Sequence, residues 1–126
     1  MSPLAFLYVG IGAAVGAWCR WVLSLLLNPL LASLPLGTLA ANWIGALLMG
    51  VIMGLFSHFG DWPDAMRLAL TTGFLGGLTT FSTFSAEMSG FILAGQWASV
   101  MIGIGLHVFG SLLLTLTGLL LVRVLA

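Results

Sequence analysis

The 126 residues are 61% hydrophobic and only 5% charged, with three Arg or Lys against three Asp or Glu and a formal net charge of zero. A soluble domain carries roughly 25% charged residues, so a soluble globular domain is excluded, and no basic surface calls for a nucleic-acid partner. A bilayer core of ~30 Å needs about 20 apolar residues per helix, which leaves room for four spans in one small all-α membrane domain, residues 1–126.

The first span is expected over about residues 4–27. Met1-Ser2-Pro3 lacks the basic start of a signal peptide and the apolar run after it is long, so this span is expected to be retained. Gly12, Gly16 and Arg20 recur every four residues and share a face. The glycines suit close helix packing. Arg20 leaves two readings open, an anchor that snorkels to the interface and a positive charge at an aqueous mouth that concentrates anions. Cys19, the single cysteine, excludes an internal disulfide and a thiolate metal cluster.

Asn28-Pro29 and Pro35 bracket the first loop, and a second span is expected over about residues 37–56. It carries Asn42 among Gly45, Gly50 and Gly54. A carboxamide in hydrocarbon needs a partner, so Asn42 either pins a helix contact or offers its NH2 to a permeating species. The second loop, residues 57–64, is the visibly aqueous stretch: Asp61 and Asp64 suit a helix entry, Trp62 suits the headgroup interface, and His58 reads as a loop residue.

The third span, about residues 66–93, contains the densest run of Gly, Thr, Ser and Phe in the chain, from Gly73 to Glu87. Polarity so concentrated at membrane depth must face protein or a water-filled path. Gly76-Gly77 is the expected break, because each interior glycine costs ~1 kcal/mol in a helix. A broken helix exposes carbonyls on one half and N–H groups on the other, and so can hold a cation and favour an anion at one point. A continuous helix with close glycine packing is the competing reading. Phe81 and Phe84 share a face, as do Thr79, Thr83 and Glu87 at spacing four. Hydroxyl donors and the positive rims of phenyl rings can face an anion without a fixed charge that would trap it. Glu87 is expected near the membrane boundary or paired with hydroxyls.

A fourth span is expected over about residues 97–124, with His107, Ser111 and Thr115 forming one polar track and Arg123 near its end. Lys is absent, and Arg67 and Arg123 fall toward one side while Arg20 falls toward the other. Such a small bias scarcely sets a direction under the positive-inside rule, which allows insertion both ways round. Glycine-rich faces left uncovered point to a homodimer. If antiparallel, its two span-three breaks would meet at a two-fold axis, where carbonyls from both could hold one monovalent cation.

Three strings, Gly12-x3-Gly16-Ala17-x2-Arg20, Gly37-Thr38-Leu39-x2-Asn42-x2-Gly45 and Gly73-Phe74-x-Gly76-Gly77-Leu78-Thr79-Thr80-Phe81-Ser82-Thr83-Phe84, resemble the bacterial Fluc (CrcB) fluoride channels over essentially the whole chain. The resemblance implies a dual-topology antiparallel homodimer in the bacterial inner membrane, with two fluoride pores and a structural Na+ at the span-three breaks. It implies passive export of cytoplasmic fluoride. By matching motif, Phe81 and Phe84 correspond to the pore-lining phenyl box, Asn42 to its amide donor, and Thr83, Ser111 and Thr115 to polar pore lining. His107 stands on the same track, where some members of that family have a hydroxyl residue. Arg20 corresponds to the vestibule charge, and the carbonyls of Gly76 and Thr79 to Na+ ligands. The competing reading is a small dual-topology drug/proton antiporter, which would need a membrane carboxylate in a substrate chamber, and Glu87 is the one candidate. With no nucleophile beside a base and no ligand cluster, an enzyme is not expected.

Overall fold

The computed structural model describes residues 2–126 as an all-α bundle. Helix α1 (Pro3–Leu27) starts where Ser2 accepts the Ala5 N–H at 3.2 Å and Pro3 fills the first turn. A 3-10 turn over Asn28–Leu30 ends it at Pro29. Helix α2 (Leu36–His58) has no cap from its own preceding residue. Asn28 supplies it from a distance, its Oδ1 accepting from Gly37 N–H at 2.7 Å and Thr38 N–H at 3.3 Å. His58 is thus the last helical residue rather than a loop residue, its ring edge-on to Phe59.

The third crossing is made in two pieces, α3 over residues 64–78 and α4 (Ser82–Leu93). Helix α3 opens with Asp64 in its first turn, two residues before the expected start, and widens to π geometry over Ala69–Leu75. Arg67 sits over the Phe56 ring, 4.9 Å from its centroid, and donates to Gly60 O at 3.1 Å, which closes the second loop back onto α3. Helix α5 (Trp97–Leu125) follows a turn in which Gly95 takes φ 73°, a left-handed conformation that favours glycine. There Gln96 N–H donates to Phe91 O and Gly95 N–H to Ile92 O, so the last carbonyls of α4 are satisfied. Helix α5 has its own π segment at Leu106–Gly110. Among the described residues, three stretches, Pro3–Leu30, Leu36–His58 and Trp97–Leu125, are long and apolar enough to cross a membrane alone. The α3–α4 pair is a bent helix beside these three.

Two close crossings organise the bundle. In the first, α1 meets α3 through Gly12 and Gly16 against Gly73 and Gly77, and a Cβ at Gly12 would stand 2.5 Å from Ala69 O. In the second, α2 meets α5 through Gly50 and Gly118, and a Cβ at Gly118 would stand 2.5 Å from Leu47 O. Lipid is as apolar as leucine, so association here rests on backbone approach and interhelical hydrogen bonds rather than on hydrophobic burial. A small core of Ala41, Leu75 and Leu78 lies where α2 meets α3.

The break does not fall at Gly76-Gly77. Gly76 is helical, with φ −62° and ψ −36°, and the chain leaves the helix at Thr79, with φ −87° and ψ 156°. Gly77 is used for packing on α1 against Ala13, Gly76 is exposed and meets nothing of α1, and Thr79, Thr80 and Phe81 make the interruption. The stripe expected from Thr79 through Thr83 to Glu87 is therefore cut, because Thr79 belongs to the break and the other two to α4.

Candidate functional site

Interrupting a helix in a membrane leaves backbone groups that water cannot satisfy. Asn42, in the second turn of α2, answers this at the α3–α4 break. Its Oδ1 accepts from Thr80 N–H at 2.7 Å and its Nδ2 donates to Thr80 O at 3.0 Å. The carboxamide thereby copies a β-bridge to one residue. Asn42 Nδ2 also lies 3.0 Å from His107 Nδ1 on α5, so this one side chain joins three segments. The next turn begins with Thr80 Oγ1 accepting from Thr83 N–H at 3.1 Å, and Thr80 Oγ1 lies 3.3 Å from Ser82 Oγ. Thr80 thus acts as the cap of α4, a role that local sequence reading did not assign.

These diversions have a second effect. Thr79 N–H still closes on Leu75 O, but the Thr80 and Thr83 N–H groups, which in a continuous helix would reach Gly76 O and Thr79 O, donate to side chains instead. Arg20 completes the end of α3: its Nε donates to Gly77 O at 3.0 Å, tying α1 to the turn before the break.

Beside the break, α2, α3, α4 and α5 enclose an open groove of about 490 Å³. Asn42, Phe81, Phe84, His107, Ser111 and Thr115 all line it, as do Gly76 and Thr79. Phe81 and Phe84 stand edge to face, with centroids 5.4 Å apart. Their surroundings differ: Phe84 is 6% exposed and packs against the His107 ring at 4.4 Å, whereas Phe81 is 74% exposed. The hydroxyls of Thr79 and Thr115 donate to Leu75 O and Ala46 O, at 2.8 and 3.0 Å. None of the residues lining the groove is Arg, Lys, Asp or Glu.

Two residues named from the sequence stand apart from this set. Thr83 is half-buried on α4 and is not part of the groove lining, and Arg20 lies on the α1 side of α3. Glu87 is also away from the groove, its Oε2 accepting from Thr38 Oγ1 at 2.7 Å, with Thr38 fully buried. That bond is the pairing with a hydroxyl that the sequence suggested. The signal that could have found Thr38 is its place one turn before Asn42 on the same helix.

A family model described as CrcB-like protein, Camphor Resistance (CrcB), matches residues 7–119. Among similar proteins, one from Ralstonia nicotianae is 51% identical over 125 residues, 99% of this chain and 99% of its own length. One from Dechloromonas aromatica is 55% identical over 120 residues, covering 95% and 89%, and one from Cupriavidus taiwanensis is 49% identical over all of both chains. Each of the three is named a fluoride-specific ion channel, FluC. With the family model matching residues 7–119 and these relatives about half identical nearly end to end, the chain belongs to the CrcB-like family.

Proposed function

We infer that the protein is a fluoride-specific ion channel, multi-pass in the bacterial inner membrane, through which the ion moves passively down its electrochemical gradient. The observation that carries this reading is the groove beside the break, which gathers an amide, two phenyl rings and hydroxyls and has no fixed charge in its lining. Fluoride gives up strongly bound water to enter a narrow path, and N–H, O–H and aromatic rims can replace part of that shell. The Asn42, Thr79 and Thr115 donors are held by carbonyls at rest. Bonds to an ion are roughly twice as strong as neutral ones, so an arriving anion can draw these donors from their carbonyls and return them when it leaves.

A second copy, antiparallel to the first, completes the site in this reading. The exposed Phe81 ring and the open side of the groove support it, since a facing subunit would cover both. The small Arg bias supports dual topology, and two copies would give two pores. A structural Na+ at the two-fold axis fits the carbonyls of Gly76 and Thr79, whose helical donors are diverted to Asn42 and Thr80. Bound there, it would offset the converging carbonyl dipoles of the two breaks. Arg20, beside Gly77 O, is the charge that raises anion concentration at the mouth. A drug/proton antiporter would place a carboxylate in the chamber, but Glu87 is held by Thr38 outside the groove lining.

In liposomes loaded with fluoride, the purified protein is expected to release the ion electrogenically, at a rate independent of an imposed pH gradient. Efflux that requires a proton gradient or a co-transported drug would overturn the channel reading. Phe81→Ile keeps apolar bulk and removes the ring edge. Its flux is expected to fall roughly two- to tenfold, from the 0.5–1.5 kcal/mol scale of aromatic contacts, with the dimer retained on size exclusion. Unchanged flux would remove the phenyl rim from the path.

A further inference from the structure

Asn42 and Trp43 are consecutive on α2, and each grips one of two consecutive residues on α5. Asn42 meets His107, and the Trp43 Nε1–H donates to Leu106 O at 2.9 Å. Leu106 begins the π segment of α5, in which the helical hydrogen bonds are re-registered and the ring of side chains is turned. Gly110 ends that segment, and a Cβ there would stand 2.6 Å from the Trp43 indole nitrogen, so the indole fits only because glycine leaves room. Widening of α5, the glycine and the indole are thus one local arrangement, and His107 sits inside it.

The orientation of His107 then follows from hydrogen-bond accounting. Thr80 N–H must meet an oxygen, which puts Asn42 Oδ1 on Thr80 and leaves Asn42 Nδ2 facing His107 Nδ1. A donor faces Nδ1, so Nδ1 carries the lone pair and the proton of the neutral ring resides on Nε2. His107 is 5% exposed, and its Nε2 is buried without a hydrogen-bond partner among the described residues. A buried N–H left over from every internal bond, on a side chain that lines the groove, is a donor available to an anion.

We propose that Trp43 is a positioning residue of the ion path: through Leu106 O it sets the turn of α5 at which His107 meets Asn42, and so fixes the imidazole with Nδ1 accepting and Nε2–H left to donate to a halide. The proposal rests on the channel reading for its halide and on the bundle alone for its geometry, so the two can fail separately. Nitrogen-15 NMR of histidine-labelled protein at neutral pH reads the geometry whether or not fluoride passes. His107 is expected with an unprotonated Nδ1 and a protonated Nε2 in the native chain, and as a tautomer mixture in Trp43→Phe, which keeps the ring and drops the donor. A protonated Nδ1 in the native protein overturns the proposal even if the variant fails to fold.

The flux arm is a double-mutant cycle of Trp43→Phe with His107→Asn in liposomes. Each single change is expected to lower fluoride efflux about fivefold, the scale of one net hydrogen bond, and the double variant no further than the larger single effect. Multiplied effects would show that Trp43 acts apart from His107 and overturn the proposal, as would native flux in Trp43→Phe. If the native protein passes no fluoride while its His107 tautomer is as stated, the channel reading fails and the positioning role stands.

Discussion

Asn42→Ala is expected to lower fluoride flux by about 30-fold or more while the protein still assembles. The change removes both bonds to Thr80 and the contact with His107 at once. Leaving a buried backbone donor or acceptor unpaired costs about 1–3 kcal/mol, and here one of each is released at the point where the third crossing changes direction. The break would relax, carrying Phe81 away from Phe84. Asn42→Asp separates the parts of the effect, because it keeps an acceptor for Thr80 N–H, loses both amide donors, and sets a negative charge beside an anion path. It is expected to be as inactive as the alanine variant. The check is initial efflux from liposomes at matched amounts of dimeric protein; native flux in Asn42→Ala would show that the bridge to Thr80 is dispensable.

Gly118→Val is expected to abolish assembly or lower the thermal unfolding temperature sharply. A Cβ at Gly118 already stands 2.5 Å from Leu47 O and 2.7 Å from Val51 N, which are backbone atoms of α2 that cannot swing aside. Overpacking in a fixed core costs about 1–3 kcal/mol and occasionally more. Valine adds two further methyl groups to that clash, so the α2–α5 crossing must open, and with it the alignment of Asn42 to His107. Gly118→Ala should fall between native and valine. Unfolding in detergent, followed by light scattering and tryptophan fluorescence, checks the order; a Gly118→Val protein as stable as native would mean that the crossing is not close packed.

The crossings themselves were legible in the sequence because length and apolarity suffice for them. Residues 4–27, 37–56 and 97–124 were expected where Pro3–Leu27, Leu36–His58 and Trp97–Leu125 stand. The position of the break was not, because helix propensity is a local quantity and the break is settled at long range. Gly76 and Gly77 remain helical, Gly77 against α1, while Thr80 leaves the helix because Asn42, 38 residues earlier, supplies both of its backbone partners. Of the two readings left open for Asn42, the pinned contact is the one observed, and it engages the same amide N–H groups that the proposed ion path would use. The π segments escaped for a similar reason. Nothing in Leu106 to Gly110 announces a widened turn, and the group that captures Leu106 O is Trp43, on another helix. The residue types of the groove were visible from spacing alone, but their convergence required the break to be placed.

Neutral donors and phenyl rims, with no fixed cation in the groove lining, are expected to select fluoride by replacing its water. The most direct measurement is parallel efflux of fluoride and chloride from liposomes carrying the native protein, under the same gradient and voltage clamp. Fluoride is expected to leave at least about a hundredfold faster, a difference of roughly 2.7 kcal/mol. Equal rates for the two halides would mean that the groove does not replace fluoride's water.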